Sequence, residues 1–293
     1  MINDLKFKLK RIKRAIEYLT HPNLFTIAID YPVYPKPRWT VSDPNQPLYK
    51  IISHNVDSYK KILQQFLQYH DMFNTINCDS DSLHPNEPNW INGYLPGLDA
   101  ISLYCFLCLN NPREYLEVGS GNSTKFARRA INDNQLRTKI TSIDPTPRAD
   151  IDEICDEFHR KPVEEIDLGL FEKLRSGDIL FIDNSHRVFT NSDVTVMFLD
   201  VIPRLKPGVI IEFHDICLPY DYPSSWNNRY YSEQYMMGAY LLGGGRDIEI
   251  LLPNYFVSYD NNLHSTLQTI WNEFKDKGIE VHGSSFWLTK KEG

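Results

Sequence analysis

The stretch YLEVGSGNSTKF, residues 115–126, decides how this chain is read. An apolar run stops abruptly in two glycines, two serines, an asparagine and a threonine, and a helix-like run follows at once. Side chains this small after a strand imply that something comes close to the main chain. The order is Glu117-x-Gly119-x-Gly121, with a helix expected to begin at Asn122 or Ser123. Free N–H groups at a helix start suit an anionic group. Ser123 is also a good N-cap, so part of the pattern could be simple capping.

Working outward, strand-like runs recur: EYLEV (114–118), KITSID (139–144), DILFID (178–183) and GVIIEFHD (208–215), with a weaker one expected at 161–165. Helix-like runs lie at 122–132, 168–174 and 193–205. The strands are apolar almost throughout, as in parallel sheets buried on both faces. Strand–helix alternation predicts a doubly wound α/β sheet. Further on, IEILL (248–252), a helix over 265–274 and SFWLTK (285–290) add two strands, and the final one could run antiparallel. The expectation is a mostly parallel, seven-stranded, Rossmann-like sheet. Its ligands should sit in the crevice at the carboxyl ends of the strands.

Residues 1–88 have a different texture and are expected to form a helical, proline-rich extension to a domain over 89–293. Leu5, Leu9, Ile12, Ile16 and Leu19 fall at helical spacing among Lys6, Lys8, Lys10, Arg11, Lys13 and Arg14. This reads either as a solvated helix docked by one face, or as a basic amphipathic helix that rests on an anionic membrane or an acidic partner. VDSYKKILQQFLQY (56–69) reads as a second helix. The formal charge of −7 over 293 residues leaves no basic field for nucleic acid. No apolar run reaches the ~18 residues of a membrane span, and no signal core opens the chain, so a cytoplasmic protein is expected. Five scattered cysteines argue against a disulfide framework. Cys105 and Cys108 lie in an apolar run without a second pair, and read as buried thiols rather than zinc ligands.

A dinucleotide fingerprint would need a third glycine where Thr124 stands. The pattern E/D-x-G-x-G-x-(G/S/T) does fit Glu117, Gly119, Gly121 and Ser123. It resembles motif I of the class I S-adenosylmethionine-dependent methyltransferases. Asp144 stands at the second strand end, 25 residues after Gly119, where an acid can accept both hydroxyls of a ribose. The resemblance implies S-adenosylmethionine as cofactor, bound by Glu117, Gly119, Ser120, Gly121, Asn122, Ser123 and Asp144. Glu164 (or Glu165) would meet the adenine, and Asp183, Asn184 and Ser185 would complete the pocket. With GLDAISLYCFLCLNNPREYLEVGSGNST, GDILFIDNSH, SDVTVMFLDVIPRLKPGVIIEFHDICLPYDYP, YYSEQYMMGAYLL and SFWL, residues 91–290 resemble a bacterial branch of that class often associated with sugar and polysaccharide modification. Asn184, Ser185 and Glu212 depart from its usual pattern.

FIDNSHR and EFHDICLPYDYP end the fourth and fifth strands, so Asp183, His186, His214 and Asp215 should converge. Transfer to a hydroxyl requires removal of its proton. His214, then His186, with Asp215, are the expected catalytic residues. A divalent ion, Mg2+ or Mn2+, on Asp183, His214 and Asp215 is the competing device. Trp226, Arg229 and the tyrosines of 220–235 suit a small hydroxylated acceptor such as a saccharide. Two rival readings remain: a nicotinamide-dependent oxidoreductase, and a non-catalytic adenosyl-binding or docking protein.

Overall fold

The computed structural model describes residues 9, 12–13, 15–17, 19–20, 36–79 and 84–292. The chain divides into two compact units, Met1–Lys36 and Pro37–Gly293. In the first, the described residues from Leu9 to Thr20 are helical, with Lys13 paired to Glu17 at 3.8 Å. Most of the basic positions expected on that helix, Lys6, Lys8, Lys10, Arg11 and Arg14, lie outside the described residues.

The second unit is built on one seven-stranded sheet: β1 (Glu114–Val118), β2 (Lys139–Ile143), β3 (Glu157–His159), β4 (Ile179–Ile182), β5 (Ile210–Phe213), β6 (Ile248–Pro253) and β7 (Phe286–Lys290). The strand order is β3-β2-β1-β4-β5-β7-β6. The first five are parallel; β7 lies between β5 and β6 and runs antiparallel to both. β4 and β5 are buried along their whole length, as their unbroken apolar character requires. The edge strand β3 falls at 157–159 rather than 161–165. Pro162 follows it, and 163–165 turn into a short 3-10 helix. Proline cannot donate to a ladder, so pairing ends before it. The expected helix over 193–205 begins at Ser192, whose hydroxyl accepts from Thr195 N, and passes through α, π and 3-10 turns to Arg204.

Residues 37–88 share one compact unit with the sheet. Helices α1 (Gln46–Ile52) and α2 (Val56–Phe66) bury Leu48, Ile52, Tyr59, Leu63 and Phe66 in the main core. Trp90 is also core. It packs on Phe126 and Phe274, and its indole N–H donates to Phe73 O. Helix α3 (Gly97–Asn110) is buried almost all round and carries Cys105. Helix α4 (Asn122–Asn134) follows the glycine turn, and α5 (Glu233–Leu242) follows the loop after β5. Among the described residues, no helix is long and apolar enough to cross a membrane.

Candidate active site

The strand ladders continue one residue past each strand end and so fix the edge. Gly119 N donates to Ile143 O, Asp144 N to His159 O, Asp183 N to Val118 O and His214 N to Ile182 O, all within 2.9–3.1 Å. The residues expected to share a crevice therefore stand side by side.

The two glycines of the turn have different reasons. Gly119 has φ +84°, and a Cβ there would collide with the Asp183 carbonyl. Its constraint is the neighbouring strand end. A Cβ at Gly121 would face open space, with Arg148 Cβ the nearest atom at 4.0 Å. Gly121 therefore leaves room for a ligand. It lines a hollow of about 330 Å3 with Ser120, Asn122, Ser123 and Arg148, at the start of α4.

Glu117 is fully buried and faces inward. It accepts from Tyr115 Oη at 3.0 Å, from Ser123 Oγ at 3.2 Å and from Thr124 Oγ1. Burial pushes its carboxyl up to about 7, and these hydroxyls oppose the rise. Thr124 also accepts from Gly121 N at 3.0 Å, so Glu117 and Thr124 brace the turn from behind. Asp144 accepts from Ser120 N and from Thr146 N, both at 2.8 Å. It lines a second hollow of about 340 Å3 with Gly119, Glu164, Asp183, Asn184 and Ser185. Glu165 lines a different depression. Asn184 and Ser185 are engaged internally as well: Asn184 Nδ2 donates to Glu233, and Ser185 donates to Asp193 from both N and Oγ.

Asp183 and Arg148 line both hollows and also a third, larger cavity of about 810 Å3. On its floor stand Asp183, His186, His214, Asp215 and Ser284. His186 Nε2 lies 3.2 Å from Asp183 Oδ1 and 3.6 Å from Asp215 Oδ2. His214 Nδ1 lies 3.8 Å from Asp183 Oδ1 and 3.5 Å from Asp215 Oδ1. Asp215 takes φ +58° and accepts from Ser284 Oγ at 3.1 Å. Because β7 is antiparallel, its amino-terminal approach reaches the same edge and delivers Ser284.

Behind each histidine stands a buried acid that sequence reasoning missed. Glu233 of α5 meets His186 Nδ1 at 2.9 Å. Asp99 of α3 lies 3.3 Å from His214 Nε2 and accepts from Asn254 Nδ2, Ser284 N and Ser285 N at 2.7–2.8 Å. Burial opposes the charge of Asp99, but bonds from His214, Asn254 and Ser284 hold its carboxyl below the usual range. Asp183 is likewise brought down to about 2: burial works against it, and the His186 bond and the His214 charge prevail. Both imidazoles are raised well above the ordinary histidine value. Burial would lower them, but the carboxylates on either side outweigh it. Asp99 did leave a signal, a lone acid in the apolar run GLDAISLYCFLCL. Arg148 left none.

The metal alternative does not fit this arrangement. Among the described residues, no group of three or more His, Cys, Asp or Glu side chains could hold an ion. Cys105 and Cys108, both free, also take no part.

Residues 116–216 match the model of a family described as a methyltransferase domain. No curated protein matches the chain. Among solved structures, the chain is similar to an O-methyltransferase from Bacillus cereus in complex with S-adenosylhomocysteine. Identity is 13%, covering 79% of this chain and 91% of that one, with a TM-score of 0.39. It is also similar to the methyltransferase PaMTH1 of Podospora anserina, at 14%, 82% and 96%, with a TM-score of 0.42. A third likeness is to the O-methyltransferase TomG of Streptomyces achromogenes, at 14%, 79% and 90%, with a TM-score of 0.36. At this identity they carry nothing about the acceptor. The sheet order and the glycine turn accord with the match of residues 116–216 to a methyltransferase domain.

Proposed function

We propose that the chain methylates a hydroxyl oxygen of a small ring-shaped acceptor such as a saccharide, at the floor of the 810 Å3 cavity. One observation supports this most: two hollows around the glycine turn and Asp144 meet a roomy cavity floored by histidines and acids, and Asp183 stands at the junction of all three. S-adenosylmethionine, when bound, supplies a methyl group on a positively charged sulfur. Gly119, Ser120, Gly121, Asn122 and Ser123 would form its cradle, Asp144 would accept from the ribose, and Glu164, Asn184 and Ser185 would enclose the base. Asp183, anionic at the junction, favours positive charge beside it.

On the acceptor side, His214 removes the hydroxyl proton, and Asp215 and Asp99 stabilise the imidazolium that results. His186, held by Glu233 and Asp183, keeps Asp215 in place. Base catalysis of this kind contributes ~10²–10⁴-fold, and alignment of the reacting atoms contributes more. Since His214 rests protonated well above the usual value, kcat/KM should rise with pH as that proton leaves. A profile that is flat or falls through pH 7–9 would remove His214 as the base.

Calorimetry with S-adenosylhomocysteine tests the cofactor half directly. Saturable binding that weakens in Asp144→Ala is expected. No heat and no thermal shift at millimolar ligand would count against the reading, and tight NADH binding in its place would favour the oxidoreductase.

A further inference from the structure

The wall of the large cavity carries a second arrangement. Arg229 lies on two aromatic faces, its Cζ 4.4 Å from the Trp226 ring centre and 5.5 Å from that of Tyr231. Arg187 supports the same loop: its Nε donates to Arg229 O at 3.1 Å, and its Nη1 donates to Ser185 O at 2.9 Å. Arg187 is thus engaged with the backbone. Among the described residues, the Arg229 guanidinium makes no ion pair and no side-chain hydrogen bond. A planar cation fixed by its faces leaves its N–H edge free to receive an anion. This occurs in a chain of net charge −7, where carboxylate partners are plentiful.

Distance gives the site its meaning. Tyr231 also lies 4.6 Å, centre to centre, from the His186 ring. Tyr231 therefore neighbours both the guanidinium and a histidine of the cavity floor. His214 lines the same cavity as Arg229. Trp226, Tyr231, Tyr255 and Tyr259 line the same cavity and offer faces to the apolar side of such a ring.

We propose that the acceptor is an acidic monosaccharide unit, whose carboxylate or phosphate is received by Arg229 while a hydroxyl across the ring meets His214. This rests on the methyltransferase reading and narrows it. The shared chemistry is an anionic oxygen cluster on a hydroxylated ring, and a uronate or a sugar phosphate would supply it.

The test is calorimetric titration of the protein saturated with S-adenosylhomocysteine. The probes are matched sets: glucose, glucuronate and glucose 6-phosphate; then galactose, galacturonate and galactose 6-phosphate; then inorganic phosphate. At least one anionic sugar should bind about tenfold more tightly than its neutral parent, as charge-assisted hydrogen bonds require. Whether the uronates or the phosphates lead identifies the source of the anion. Arg229→Gln should bring the pair to parity while its affinity for S-adenosylhomocysteine, the check on folding, stays the same. Equal binding of neutral and anionic sugars, binding of no sugar at all, an Arg229→Gln variant that keeps the preference, or inorganic phosphate binding as tightly as the sugar phosphates would each overturn the proposal. If S-adenosylhomocysteine itself failed to bind, the methyltransferase reading would fall, and this inference with it.

Discussion

On one side of the cleft, the turn after β1 and Asp144 satisfy each other with neutral donors. Glu117 takes hydroxyls from Ser123 and Thr124, and Asp144 takes main-chain N–H groups from Ser120 and Thr146. Nearly all of it comes from one run of sequence. On the other side, each histidine lies between carboxylates that arrive from α3, β4, β5 and α5, with Ser284 added ahead of β7. A compact local motif makes a seat for a ligand; distant elements converge to hold protons. The first is drawn mostly from one turn braced by its neighbouring strand ends, whereas the second gathers side chains from elements far apart in sequence.

The largest effect that would sharpen this contrast is expected from His214→Gln. It should lower kcat by about 10²–10⁴-fold and leave affinity for S-adenosylhomocysteine within a factor of about two. Equal losses in both would merge the two sides. Next are the two glycines. Gly119→Ala should destabilise the protein by about 2–4 kcal/mol in denaturant unfolding, because of its positive φ and the Asp183 carbonyl. Gly121→Ala should change stability by less than about 1 kcal/mol but weaken cofactor binding, since its Cβ enters only the ligand space.

The buried acids give a subtler comparison. Asp99→Asn removes a charge that raises His214, so the rising limb of the pH–rate profile should move to lower pH. Glu233→Gln acts on His186 and should lower kcat without moving that limb. If the two variants shift the profile alike, the histidines do not divide the work as proposed. Stability should follow the same groups. Their folded values are raised, so their contribution is complete below about pH 6.5 and is lost as pH rises through the elevated values. Unfolding midpoints measured from pH 6 to 9 should therefore decline.

The smallest effect belongs to Glu212, in register between Phe181 of β4 and Trp287 of β7. It is fully buried with no hydrogen-bond partner for either oxygen, and burial raises its carboxyl well above the usual range. Glu212→Gln should cost little, within about 1 kcal/mol, and should flatten any fall in stability as pH rises above the ordinary carboxylate range.

What could be read from the sequence follows the same division. The central strands and the crevice residues were legible because β1, β4 and β5 are largely apolar runs followed by Gly119, Asp183 and the pair His214–Asp215. The turn at 117–124 was legible because its chemistry is contiguous. Asp99 and Glu233 were not assigned, since a helix gives no sign of which distant histidine it will face. Trp226, Arg229 and Tyr231 line the large cavity, whereas Tyr220 and Tyr222 are buried in packing. An aromatic-rich loop does not announce which of its rings turn inward. The misplaced edge strand had a local cause that could have been weighed, namely Pro162.

The position of β7 carries one more consequence. The strand latest in sequence is inserted between two that precede it, and its approach supplies the amide and hydroxyl groups that hold Asp99 and Asp215. The acid network of the site is therefore completed only by residues more than 150 positions after the glycine turn. A chain that ended ahead of Ser284 would lack the groups that hold Asp99 and Asp215.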